Sequence, residues 1–216
     1  MNTPDTQSLD LASLLCSRLC HDLLSPVGAL TNGLELLTSE TDPEMRQRCF
    51  ELLEQSARTS ADKLKFFRLA FGAAGGFGET IAVAEPKALI DALVGANSRV
   101  TVNWALGSEA LPKAAVKVLL NLALIGIDAL VRGGTLDIGA EESSGATEIA
   151  LRAAGPKIAF DETVGKALSG ALSAADLTSR TAPAWMVSQL AAAHGGGVQV
   201  HRGEDALIMG AVLPGS

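Results

Sequence analysis

Ser17-Arg18-Leu19-Cys20-His21-Asp22-Leu23-Leu24-Ser25-Pro26 sits in the middle of a long run of helical periodicity, and its reading decides how the first third of the chain is arranged. With Leu19 set to zero and about 100° added per residue, Leu11, Leu15, Leu23, Val27, Leu30, Leu34 and Leu37 fall within about 80° of it, whereas His21 falls near 200°. A packed stripe through these leucines leaves His21 in solvent. An exposed imidazole, followed by an acid and standing one turn before a helix-kinking proline, is suited to meeting a partner's reactive group. The plain alternative is a solvated surface histidine.

Working outward, the helical stripe spans residues 8 to 38, with Ser8 or Asp10 as N-cap and Thr38 to Pro43 as a polar turn. Asp42 caps and Pro43 opens a second helix, in which Met45, Cys49, Leu52, Leu53, Ser56, Ala57, Leu64, Phe67 and Phe71 recur at spacings of three and four. Two such helices form an antiparallel hairpin that cannot bury its own apolar surface. Leu23, Leu30, Leu34, Leu37, Leu53 and Phe67 cannot all be covered within it, and no other long helix of this kind follows. A homodimer that completes a four-helix bundle is the most economical solution.

Gly72-Ala73-Ala74-Gly75-Gly76-Phe77-Gly78 is the clearest break, and divides the chain into a helical hairpin, residues 1–74, and a second domain, residues 79–216. In the second domain short β patterns near 79–84, 99–104, 134–140, 147–153, 197–202 and 206–213 alternate with helical patterns near 86–96, 112–132, 160–168 and 182–194. The expected fold is α+β, a hairpin followed by a two-layer α/β sandwich. Residues 141–146 read as a hairpin connection between two strands.

Composition narrows the partners. A net charge of −7 argues against nucleic acid and anionic membrane, which both require a cationic face, and favours a protein partner. Three cysteines provide no disulfide framework and fit a reducing cytoplasm. Cys16 and Cys20, one turn apart beside His21, lack a second ligand cluster, so helix packing explains them better than a metal. The polar start of the chain is no secretory signal, and the most apolar run, 114–131, is broken by Lys117, Asn121 and Asp128.

His21-Asp22-x-x-Ser25-Pro26 resembles the H-box of sensor histidine kinases, in which the phosphoacceptor histidine is followed by an acid and then by a small polar residue and proline. The wider string from Ser17 to Leu37, together with Phe66-Phe67-Arg68-Leu69-Ala70-Phe71-Gly72, resembles the ChpT-type histidine phosphotransferases of alphaproteobacteria. The resemblance covers the whole chain. It implies a dimeric bundle carrying the phosphoacceptor and a second domain similar to the kinase ATP-binding domain. Within that domain, Val118 to Leu130 and Gly133-Gly134-Thr135-Leu136 look like the kinase N-box helix and the strand after it. By the same resemblance, Ile125 stands where the kinase asparagine holds magnesium, and Ala153 and Lys157 replace an adenine-binding aspartate and a glycine. Pro183 and Trp185 occupy the place of the phosphate loop. An isoleucine offers no oxygen to a hard cation, and proline removes a backbone donor.

The expectation is therefore a phosphohistidine carrier without ATP or metal of its own. His21 would take a phosphoryl group from a receiver aspartate of a hybrid histidine kinase and pass it to response regulators. Asp22 would orient the ring, Arg18 would touch phosphoryl oxygens or a receiver carboxylate, and Ser25 would support the site or close the kink. Magnesium would come with the receiver. The rival readings are an active sensor-kinase core and a noncatalytic dimeric adaptor or antikinase. His194 and His201, in glycine-rich and strand settings, read as structural.

Overall fold

The long apolar stripes do form two helices, α1 (Pro4–Ser39) and α2 (Pro43–Ala70), in a computed structural model that describes residues 4–72, 79–95 and 99–215. Asp42 caps α2 by accepting from the Glu44 N–H, and Pro43 sits in the first turn, where no N–H is needed. At the other side of the turn, the Arg46 side chain donates to the Leu37 and Glu40 carbonyls at 3.0 and 2.9 Å, satisfying acceptors that the end of α1 leaves open. The helices approach closely at Gly33. A Cβ there would meet Leu53 at 2.9 Å.

The remaining elements are β1 (Thr80–Ala82), α3 (Ala84–Gly95), β2 (Val100–Leu106), β3 (Ala110–Pro112), α4 (Lys113–Ala129), β4 (Gly134–Ser143), β5 (Ala146–Ala154), α5 (Glu162–Leu168), α6 (Ala182–Ala193), β6 (Gly197–Arg202) and β7 (Ala206–Pro214). A five-stranded sheet runs in the order β2-β4-β5-β7-β6, with β2 parallel to β4 and every other pair antiparallel. Strand periodicity places Leu136, Ile138, Ile149, Leu151, Ala153, Leu207 and Met209 on one face, where α4 and α6 bury them. Helices on one face of a mixed sheet make the expected two-layer sandwich. The turn from α4 into β4 needs Gly133 and Gly134, with φ of +82° and +141°; a Cβ on Gly134 would stand 2.1 Å from the Ala154 carbonyl oxygen.

Several expectations are corrected. β3 shows no alternation that a sequence could display in three residues, and it pairs with β1 in a separate two-stranded sheet. The 141–146 connection is shorter than expected: β4 and β5 run on to Ser143 and from Ala146, leaving Ser144 and Gly145, both at positive φ, as a tight turn. Phe67 is not part of an uncovered hairpin stripe. It is 2% exposed, edge-on to Phe66 and stacked on Phe71, and with Leu69 and Ala70 it enters the core of the sandwich. Cys16 and Cys20 are exposed, so packing within the chain does not account for them, whereas Cys49 is buried. The glycine-rich boundary segment, 73–78, lies outside the described residues.

Candidate functional site

His21 stands out from α1 with its side chain 81% exposed, as the wheel requires. Its Nδ1 lies 3.1 Å from Asp22 Oδ1. The other oxygen of that carboxylate, Oδ2, accepts from Arg18 Nε at 2.8 Å, a pair one helical turn apart. Arg18 then reaches out of the hairpin: its Nη2 donates to Asp128 Oδ2, at 2.7 Å, on α4 of the sandwich. The guanidinium is 13% exposed and Asp22 15%. Burial pulls the Arg18 pKa down, but attraction and hydrogen bonding from Asp128, joined by Asp22, outweigh it and the net shift is upward. In this structure two of the three guanidinium nitrogens of Arg18 serve carboxylates of the chain itself.

Pro26 explains another part of the site. It has no N–H to donate to the carbonyl four residues earlier, which is that of Asp22. Lys63 of α2 supplies the missing donor, with Nζ 2.8 Å from the Asp22 carbonyl oxygen. The proline thus opens a place for a cation from the facing helix, and Asp22 is held by backbone and side chain together. Ser25 is exposed, and among the described residues its hydroxyl has no hydrogen-bond partner. Sequence reasoning missed Lys63 and Asp128. The proline four residues after Asp22 was a signal for the first; nothing local signals the second, 110 residues away from Arg18.

Of the residues singled out in the kinase-like domain, Ile125 and Pro183 come together where α1, α4 and α6 meet. Ile125 and Pro183 are buried and, with Arg18, Asp128, Phe160 and Arg180, line a residual cavity of about 40 Å³. Ala153 is fully buried and faces α4, while Lys157 is in solvent. Trp185 packs partly buried against the core. Asn121, one turn before Ile125, donates to the Ala70 and Lys117 carbonyls, so it ties α2 to α4 and leaves its own buried Oδ1 unpaired. A larger hollow of about 650 Å³ lies on the open face of the sheet, remote in structure from any of these groups and lined by Ala105, Gly139, Ala150, Gly210 and the carboxylates Glu141 and Glu148. His194 Nδ1 donates to the Leu190 carbonyl of α6 at 2.9 Å.

A long helical hairpin joined to an α/β sandwich of this topology is the architecture of bacterial two-component phosphotransfer proteins. The histidine phosphotransferase C-terminal domain matches residues 83–206. Over 144 residues the chain is 43% identical to the protein phosphotransferase ChpT of Brucella abortus (strain 2308), spanning 66% of this chain and 67% of that one. A solved bacterial phosphotransferase superposes with a TM-score of 0.83 at 30% identity, over 98% of each chain. The histidine kinase domain of a blue-light activated kinase from Erythrobacter litoralis shares the fold, with a TM-score of 0.50 at 16% identity over 98% of this chain and 94% of that one. The chain belongs to the histidine phosphotransferase family, and its activity is phosphotransfer in two-component signalling.

Proposed function

We propose that the protein carries phosphoryl groups between receiver-domain aspartates on Nε2 of His21, binds no nucleotide, and works as a cytoplasmic homodimer. The observation that carries this reading is the asymmetry of the ring: Asp22 faces Nδ1, and Nε2 projects into solvent from a side chain 81% exposed. With the proton on Nδ1, held by Asp22, the Nε2 lone pair attacks the phosphorus of an aspartyl phosphate. The phosphorus–oxygen bond to the receiver breaks, and the receiver aspartate leaves as a carboxylate. Asp22 stabilises the positive charge that develops on the ring. The reverse sequence delivers the group to a second receiver. Magnesium and the lysine of a receiver active site would act from the partner's side.

Three features support a carrier over a kinase. Ile125 gives a metal ion nothing to bind, Pro183 removes a donor from the expected phosphate loop, and a cavity of about 40 Å³ is far below the roughly 300 Å³ at which small-molecule sites begin. Losing the metal, adenine and phosphate contacts at Ile125, Ala153 and Pro183 with Trp185 would cost more than about 4 kcal/mol, or a factor of about a thousand in affinity. Calorimetry with magnesium and ATP is expected to show no saturable heat. A stoichiometric micromolar site, or labelling of the isolated protein by radioactive ATP, would restore the sensor-kinase reading.

The homodimer is supported by apolar side chains that the hairpin leaves exposed: Leu24, Val27 and Leu34 on α1 and Phe50 and Leu64 on α2. On α1 these fall at about 60° to 140° from Leu19, on a flank that does not include His21. Covering them with a second hairpin would leave the imidazole open to a receiver. Light scattering at micromolar concentration is expected to give twice the chain mass of 22.2 kDa, and the monomer mass throughout would contradict it. For the cytoplasm, support comes from the three free cysteines, and among the described residues no helix is long and apolar enough to cross a membrane.

A further inference from the structure

We propose that Asp128, on α4 of the sandwich, is a positioning residue for phosphotransfer, setting the carboxylate of Asp22 against His21 by way of Arg18. The inference rests on the reading of His21 as phosphoacceptor. An arginine and a carboxylate one turn apart tend toward a forked pair, in which two parallel N–H groups occupy both carboxylate oxygens. Here the fork is divided. Arg18 gives Nε to Asp22 Oδ2 and Nη2 to Asp128 Oδ2, at 2.8 and 2.7 Å, which leaves Asp22 Oδ1 free to face the imidazole Nδ1 at 3.1 Å. Without Asp128, the released Nη2 competes with the ring for Oδ1.

Charge works in the same direction. The charged groups bonded to Asp22 or to its partner Arg18 are Lys63 from α2 and Asp128 from α4, while Asp161 and Arg180, paired with each other at 3.7 Å, line the same cavity as Arg18 and Asp128. Removing Asp128 takes one negative charge from a cluster whose two cations remain, and so weakens the field that favours a positive ring. Asp128 is 52% exposed and asparagine has the same size, so the replacement opens no cavity and acts through the largely buried Arg18, whose Nη2 loses its carboxylate partner. Asp128 also lines the small cavity where the kinase-like segment has closed over Ile125 and Pro183. Through Asp128, α4 of the sandwich thus reaches back to α1, which carries His21. This gives the second domain a part in the chemistry of the hairpin.

The test reads the His21 ring itself by NMR titration of the unphosphorylated dimer, with His21→Gln to assign its signals. Asp128→Asn is expected to reduce the Nδ1–H tautomer of His21 and slow single-turnover transfer from a phosphorylated receiver by roughly ten- to a hundredfold. Affinity for the unphosphorylated receiver should stay within about twofold, and Asp128→Glu should recover part of the rate. In an Arg18→Met background, Asp128→Asn should have a much smaller effect on the ring, because the bonded route is gone and only the solvent-screened charge remains. A ring indifferent to Asp128→Asn, or an effect undiminished in the Arg18→Met background, overturns the proposal. A ring that responds as expected in a protein whose His21 takes no phosphate instead overturns the relay reading and leaves the coupling standing.

Discussion

His21→Gln is expected to abolish phosphoryl acceptance from a phosphorylated receiver, a loss of more than about a thousandfold, while leaving the thermal unfolding midpoint unchanged within roughly 1 °C. The two halves of this expectation have separate causes. A glutamine amide has no nucleophilic nitrogen lone pair, so the covalent intermediate cannot form. The side chain is 81% exposed, and it contributes one hydrogen bond, to a carboxylate that keeps its stronger partner Arg18. Stability is therefore nearly untouched. Receiver titration completes the measurement, since a variant that docks normally and takes no phosphate has lost chemistry alone. Transfer at even a tenth of the wild-type rate would move the phosphoacceptor elsewhere.

Phe67→Ala is expected to have the largest effect on stability, about 3–5 kcal/mol, which corresponds to a fall in Tm of roughly 10 °C. Phe67 is 2% exposed and touches two aromatic rings, Phe66 edge-on with centroids 5.6 Å apart and Phe71 stacked at 5.1 Å. Its cavity would open at the junction where α2 enters the sandwich core. The hairpin and the second domain share that core, so loss there should lower a single cooperative transition seen equally by helix and aromatic probes. A cost below about 1 kcal/mol, or two separated transitions in the wild type, would show that the segments fold apart. Asn121, whose amide ties the Ala70 carbonyl to α4, belongs to the same joint.

What could be read from the sequence was whatever is set by local periodicity. The wheel placed His21 outside the packed stripe, and alternation located six strands of the second domain to within a few residues of where they lie. The turn at Asp42-Pro43 was equally readable, because its capping chemistry acts within two residues. Contacts that join distant segments escaped. Periodicity assigns Val27 and Leu34 to the apolar side of α1, but it cannot say which part of a broad stripe faces the partner helix. In the fold, Leu15, Pro26 and Gly33 are buried and Val27 and Leu34 are not. Phe67 looked like one more hairpin residue, and the packing of the end of α2 into the sandwich core buries it.

The site divides along the same line. His21 and Asp22 are neighbours, and the roles proposed for them follow from the chemistry of an acid beside an imidazole. Arg18 was singled out for its spacing and expected to touch phosphoryl oxygens or a receiver carboxylate; its pairing with Asp128, from across the fold, was not legible. Pro26 marked the kink, and the physical consequence is sharper than a kink: a carbonyl without a helical donor, answered by Lys63. A rule that asks which donor replaces each missing proline N–H would have found that lysine's place, though not its identity.

The central claim is that a phosphoryl group arriving from a receiver aspartate rests on His21. Mixing the protein with a phosphorylated receiver, isolating it under alkaline conditions and mapping the phosphate by mass spectrometry with ³¹P NMR tests this directly. The account predicts an acid-labile, alkali-stable phosphoryl group on Nε2 of His21 that a second receiver can discharge. A phosphate found on another residue, on Nδ1, or nowhere in the chain would contradict it.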